Sequence, residues 1–365
     1  MLTRRQLAAL GATVLTEAAL AQRAAVTGPI PPGTIWLNAN ENPDGPPKAS
    51  LEAMMKVLPM AGRYHYQQFR PFYSTLAASE GLDASQILVG AGSSEVLQCA
   101  IHAFTGPGRP LIAANPTYES PMAVAEAANR QVIRVGLTSA YAADVKKMVA
   151  EADKAGGGLI YFCNPNNPTS TVTSKPDVNW LIDNLPRNTV ALIDEAYYHF
   201  SESPNLESAV RRVKEGRGVV VSRTFSKIYG MAGLRAGYVC ARPDLIEKMT
   251  PFRNNVISIV TVHAVLAALE NAPALLAERK AKYNRIRAGV CDFLKSKNVP
   301  YIDPHANFMM IDIKRDVRTF AGGLLAKGVA VGRPFPPMDG FLRVSIGSAE
   351  DMEKFKRVFW EVYSA

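Results

Sequence analysis

Long apolar runs are missing from this sequence. A helix needs about twenty consecutive, predominantly apolar residues to span a bilayer. None occurs, which excludes a multi-spanning membrane protein and leaves no expectation of a membrane partner. Cysteine is scarce too. Cys99, Cys163, Cys240 and Cys291 stand far apart, without Cys-x-x-Cys spacing, so no metal is expected. Apolar flanks such as Ile160-Tyr-Phe-Cys163 suit buried packing instead. Clustered basic charge is also lacking. The net charge is +9, but Lys and Arg are scattered with no recognisable nucleic-acid module, so nucleic acid is not an expected partner. A basic surface of this kind favours anionic small molecules. No internal repeat or low-complexity segment is present. What remains is a chain of 365 residues, 48% apolar and 20% charged, ordinary for a globular protein. It is long enough for two lobes of unequal size.

The first residues differ in kind from the rest. Thr3-Arg4-Arg5-Gln6-Leu7 precedes the small and apolar stretch Ala8–Leu15, and Ala19-Leu20-Ala21-Gln22 offers a small-x-small cleavage site. The pattern resembles a twin-arginine export signal, so residues 1–26 are read as a leader and the expected location is periplasmic. Glu17 interrupts the apolar stretch. The alternative is an amphipathic N-terminal helix of a cytoplasmic protein.

Residues 27–48, rich in Pro, Gly and Asn, read as an irregular arm with one short run, Ile35-Trp-Leu37. Helix signals cover Ala49–Val57. From residue 86 onward, β-branched and apolar runs alternate with helical stretches: Ile87–Val89, Leu111–Ala114, Gln131–Val135, Leu159–Cys163, Thr189–Ile193, Gly218–Ser222 and Ala236–Ala241. Such alternation predicts an α/β lobe over 49–250 with a mostly parallel sheet. The continuous apolar runs suit strands buried on both faces. Beyond Pro251 the pattern becomes α+β. A long helical stretch runs from about Ser258 to Lys295, broken near Ala272-Pro273. Strands are expected at Tyr301-Ile302, Phe308–Ile313 and Phe341–Ile346, and helices at Thr319–Lys327 and Met352–Tyr363; together they form a smaller domain over 251–365. Gly156-Gly157-Gly158 is a weak candidate phosphate loop.

Polar segments sit at the carboxyl ends of several expected strands, the edge where open α/β sheets bind ligands. They are Gly90-Ala-Gly-Ser-Ser-Glu95, Asn115-Pro-Thr-Tyr118, Asn164-Pro-Asn-Asn-Pro-Thr169, Asp194-Glu-Ala-Tyr197 and Ser222–Lys227. Singly, each could be an ordinary turn. In this order, and with Leu37-Asn-Ala-Asn-Glu-Asn-Pro43, Arg63-Tyr64, Thr224-Phe-Ser-Lys-x7-Arg235 and Phe341-Leu-Arg-Val344, they resemble a class I/II aminotransferase of fold type I. Within that group the chain is most similar to the histidinol-phosphate aminotransferase branch. The likeness runs from about residue 36 to the end.

The resemblance implies pyridoxal 5′-phosphate as cofactor, with Lys227 as the catalytic amine that carries it as a Schiff base. A lysine confined among other cations has a lowered pKa, which makes it a usable nucleophile and base. By the same resemblance Asp194 holds the ring nitrogen's proton, Asn167 and Tyr197 donate to the phenolic oxygen, and Tyr118 stacks on the ring. Gly92, Ser93 and Ser94 at a helix start, with Thr224, Ser226 and Arg235, cradle the phosphate. Tyr64 reaches the phosphate of a neighbouring subunit, which implies a homodimer with a shared site. Arg343 grips the substrate anion, Arg333 helps bind a substrate phosphate, and Asn40 lies in the covering arm. The implied partners are a small-molecule amino donor and an oxo acceptor.

Three departures leave the substrate open. Ser170 stands where the family's Asn-Pro-Thr motif continues with Gly, a position suited to a backbone that only Gly adopts freely. His65-Tyr66-Gln67 replaces the usual Pro-Asp after Arg63-Tyr64. No Tyr precedes Tyr64, whereas histidinol-phosphate enzymes carry one upstream. Two other readings share the scaffold: a lyase such as an amino-acid-phosphate decarboxylase, and a non-enzymatic sensor.

Overall fold

The computed structural model describes residues 30–365, and the leader-like segment lies outside the described residues. Eleven strands occur among them: β1 (Ile35–Leu37), β2 (Ile87–Ala91), β3 (Leu111–Asn115), β4 (Val132–Gly136), β5 (Gly158–Cys163), β6 (Thr189–Asp194), β7 (Val219–Thr224), β8 (Ala236–Ala241), β9 (Phe308–Asp312), β10 (Val329–Val331) and β11 (Phe341–Ser345). Seven of them form one sheet in the order β2-β8-β7-β6-β5-β3-β4. All its strands run parallel except β8, which is antiparallel to both β2 and β7. This is the expected α/β lobe, and each apolar run became a strand within a few residues of its expected bounds.

The sheet is buried on both faces because side chains alternate along each strand. Ile160 and Phe162 enter one core cluster, while Leu159 and Tyr161 enter the other. Two crossover helices carry side-chain N-caps, Asp144 before Val145–Lys154 and Ser174 before Lys175–Asp183, which satisfy backbone donors at the helix start.

The later half is α+β. β9 and β11 pair antiparallel, with Arg343 opposite Met310. The helices Ala272–Ser296, Val317–Ala326 and Ala349–Tyr363 surround them, the last starting in a capping box of Ser348 and Asp351. The long helical stretch breaks at Asn271, one residue before the expected place, and its two halves meet at 82°. Pro273 sits in the first turn of the second half, where its missing N–H costs nothing. No single helix among the described residues is long and apolar enough to cross a membrane.

Two details differ from expectation. Tyr301 makes only an isolated bridge to Ile311, so Tyr301-Ile302 is not a full strand. The arm is less irregular than its composition suggests: Ile35–Leu37 pairs in parallel with β10, an unanticipated strand near the other end of the chain. Leu37 is buried there. The helix Lys48–Val57 then packs on Ile259–Glu270, with Ser50 Oγ donating to the Ala264 carbonyl at 2.7 Å.

Candidate active site

Because the parallel strands share a direction, their carboxyl ends fall on one edge. Gly92 follows β2, the Pro116–Tyr118 segment follows β3, Asn164–Thr169 follows β5, Asp194 ends β6 and Thr224 ends β7. The reversed β8 brings its amino end to this same edge, so Arg235 arrives there although it precedes its strand. Lys227 lies between them, on the loop from β7 to β8. Gly156–Gly158 opens β5 at the opposite edge, which removes it as a phosphate loop.

Lys227 Nζ donates to the Asn40 carbonyl at 2.9 Å and, more weakly, to that of Ala39 at 3.4 Å. Burial, and next the Arg343 guanidinium, pull its pKa down to about 8. Asp194 is 3% exposed. Burial pushes its carboxyl up to about 6, against a hydrogen bond from the Ala196 N–H at 3.2 Å. Burial thus acts against the charge of both Lys227 and Asp194, which lie at the same sheet edge.

Tyr197, Asn167, Asn40 and Arg343 form one buried relay. Asn40 Nδ2 and Asn167 Nδ2 donate to the Tyr197 hydroxyl at 3.3 and 3.4 Å. With both acceptor positions used, the Tyr197 O–H is left to donate. Arg343 Nη1 donates to Asn167 Oδ1 at 2.9 Å and Nη2 to the Asn38 carbonyl at 2.7 Å, while its buried Nε has no protein partner. Burial brings the Arg343 pKa down to about 10.

A second group of side chains forms a cup. Arg235 Nη1 lies 3.4 Å from Ser226 Oγ, and Nη2 lies 3.3 Å from Ser94 Oγ. Gly92 caps the helix Ser93–Phe104 at φ +85°, and a Cβ there would stand 2.2 Å from Arg235 Nη2. Gly237 lies under the same helix start: its Cβ would meet the Ser93 nitrogen at 2.2 Å. The backbone amides of Ser93 and Ser94, one guanidinium and two hydroxyls are what a phosphate dianion requires. Thr224 turns inward, accepting from the Ser226 N–H at 3.1 Å.

The remaining expected residues are placed as follows. Tyr118 is half-buried against the sheet's second core cluster. Tyr64 is 64% exposed, with its ring stacked on Tyr66 at 5.3 Å. Arg333 is half-buried and engaged by Glu119. Ser170 does adopt the left-handed backbone, φ +63°, and is fully buried. Its Oγ accepts from the His305 and Ala306 N–H groups at 3.0 and 2.8 Å, which offsets the strain.

Four residues escaped the sequence reading. Asn42 Nδ2 donates to the carbonyls of Lys227 and Ile228, Asn307 Nδ2 to those of Asn40 and Glu41, and Ser345 Oγ accepts from the Asn40 N–H at 2.8 Å. Glu119 is the fourth. Ser345 carried a signal: it follows Arg343 by two in an apolar strand, so both face one way. Behind the site, Arg223 Nε donates to the buried Glu195 at 2.9 Å. His199, beside Arg223, is held neutral by burial and then by that guanidinium, its pKa near 3.

An amine, an acid for a ring nitrogen, a phenol donor and a phosphate cup at one sheet edge define a pyridoxal-phosphate enzyme of fold type I, and the residues present fit that cofactor. The model of the family Aminotransferase class I and II matches residues 32–359, and the chain belongs to that family, close to its histidinol-phosphate aminotransferase branch. It is similar to the histidinol-phosphate aminotransferase of Moorella thermoacetica, with 31% identity over 90% of this chain and 85% of that one. The aromatic amino acid aminotransferase of Cutibacterium acnes is 32% identical over 81% of this chain and 84% of its own. The crystal structure of histidinol-phosphate aminotransferase from Sinorhizobium meliloti in complex with pyridoxal-5′-phosphate superimposes with a TM-score of 0.83 at 22% identity, over 91% of each chain. The chain is a pyridoxal-phosphate-dependent aminotransferase, and the lyase reading is not favoured.

Proposed function

We propose that Lys227 is the amine that holds the cofactor and moves the proton, in a dimer whose two sites are shared. Pyridoxal phosphate, when bound, supplies an electron sink. The protein's part is to bind, orient and shuttle. Ser94, Ser226, Arg235 and the helix start at Ser93 hold the phosphate. Asp194 keeps the ring nitrogen protonated: a buried carboxylate without a cation is costly, and a ring N–H⁺ supplies that cation. Tyr197 offers its O–H, and Asn167 a second donor, to the phenolic oxygen. Arg343 grips the substrate carboxylate through the N–H groups of its fork that Asn167 and Asn38 leave open. Lys227 Nζ, partly neutral near pH 8 and freed when the donor amine takes its place, would accept the proton from the donor's Cα and return it to the cofactor carbon that bears the nitrogen.

The single observation that carries this reading is that Lys227 and Asp194 share one sheet edge with the cup of Arg235, Ser226 and Ser94. Lys227→Ala should lose the cofactor's bound absorbance and at least about 10³-fold in turnover. Normal turnover in that variant sinks the assignment. Incubation with amino acids should convert the cofactor to its amine form with one equivalent of oxo acid; release of carbon dioxide instead would restore the lyase.

The dimer is supported by Tyr64, whose exposed ring, stacked on Tyr66, stands beside an open hollow of about 430 Å³ lined by Ala61–Tyr64 and Asn255–Ile259. For location, the Arg4-Arg5 leader supports export to the periplasm. A native protein that retains Met1 would count against it.

A further inference from the structure

Arg343 does not stand alone at the mouth of the site. Arg333 and Arg343 both lie over the Phe335 ring, 4.3 and 4.5 Å from its centroid. Two cations sharing one aromatic ring repel each other, and a buried one suffers most. Burial, and after it Arg333, act against the charge on Arg343, whereas Tyr197 and, more weakly, Glu119 act for it. Glu119 Oε2 is bonded directly to Arg333 Nη2, and Arg333 Nη1 donates to the Pro334 carbonyl at 2.8 Å. The second arginine is therefore already spoken for. The trio of Arg333, Arg343 and Glu119 carries one net positive charge.

We infer that Glu119 sets the substrate class of this site. Paired with Arg333, it withdraws that arginine from the substrate and leaves a pocket matched to a single carboxylate. The chain then acts on α-amino monocarboxylates with uncharged side chains and discriminates against phosphate monoesters and dicarboxylates. This rests on the proposed role of Arg343 as the carboxylate grip. The physical reason is a like-charge clash. A phosphate reaching for Arg333 must break its charge-assisted bond to Glu119 and leave two anions side by side, the kind of repulsive element that specificity uses. A lone carboxylate on Arg343 completes neutrality and asks nothing of Arg333. Removing the charge of Glu119 leaves two cations around Phe335 with no carboxylate paired to them, which suits a dianion.

The test uses the holoenzyme with two donors, phenylalanine and histidinol phosphate, followed by the change in cofactor absorbance. The wild type should favour phenylalanine in kcat/KM. Glu119→Gln keeps the shape and removes the charge. It should move the ratio of the two kcat/KM values toward histidinol phosphate by about tenfold, through a lower KM for the phosphate ester, equivalent to about 1.4 kcal/mol. The double variant Glu119→Gln/Arg333→Gln should lose that gain. Calorimetric titration with inorganic phosphate gives a readout apart from turnover: the holoenzyme's cup is filled by the cofactor, so tighter binding in Glu119→Gln reports the mouth. A wild type that prefers histidinol phosphate, a ratio unmoved by Glu119→Gln, or parallel losses with both donors would each overturn the inference. A wild type that binds cofactor but converts neither donor would defeat the roles given to Lys227 and Arg343, and this inference with them.

Discussion

Asp194 shows at the scale of one residue how a site trades stability for readiness. In the cofactor-free protein its carboxyl titrates near 6 instead of 3.8, because burial disfavours the charged form. Between those values the native state binds more protons than the unfolded chain. Stability from this group therefore falls as pH rises through that window and stays at its lower level above it. Asp194→Asn removes the cost. The cofactor-free variant should be more stable than wild type by about 3 kcal/mol at pH 8, and by close to nothing at about pH 3 or below. Urea denaturation at the two pH values checks this; a gain independent of pH would refute it. Turnover should fall in the same variant, since an amide cannot hold the ring nitrogen's proton as a carboxylate does. Glu119 belongs to this scale as well. It sits 214 positions from Arg333 along the chain, and no local pattern announces an ion pair across that distance.

Between elements, the decisive feature is the meeting of β8 with the start of the helix Ser93–Phe104. Gly237 and Gly92 let a strand, a helix terminus and the Arg235 side chain occupy one small volume. Gly237→Ala should force them apart. It should cost about 1–3 kcal/mol of stability and weaken cofactor affinity, measured by fluorescence titration. Gly233→Ala, whose added methyl meets nothing within 4 Å, is the control. Equal affinities in the two variants would remove the cup from that junction. Elements of this sheet were readable in the sequence for a plain reason: parallel strands buried on both faces are nearly unbroken apolar runs, and the polar segments at their ends stand out against them. β1 and β10 were not readable in this way. Each has only three residues, and each becomes a strand only by pairing with the other. Asn307 was hidden similarly, since a loop asparagine has many ordinary uses. Lys227, Asp194 and Arg235 were readable because their spacing is part of a motif; Asn42, within the Leu37–Pro43 segment, and Ser345, on the strand face of Arg343, gave no role of their own, because they act on backbone and on other side chains.

For the molecule as a whole, the shared-site reading makes a stoichiometric prediction. A Lys227→Ala chain and a Tyr64→Ala chain should each be impaired as homodimers. In their mixed dimer one site has lost both residues and the other has both intact. Co-expressed chains should therefore recover activity beyond the sum of the separate variants; no recovery would mean that Tyr64 serves its own subunit or none. The arm adds a different constraint. β1 pairs with β10, and Asn40, which accepts from Lys227, is itself held by Ser345, 305 positions later. Contacts of such separation close late, since most of the chain must be in place before they form. On the ribosome this orders events. The seven-stranded sheet is complete in sequence once Ala241 has emerged, yet the roof over the lysine waits for Ser345. A nascent chain thus carries the catalytic amine for more than a hundred residues of further synthesis before the site that tunes it exists.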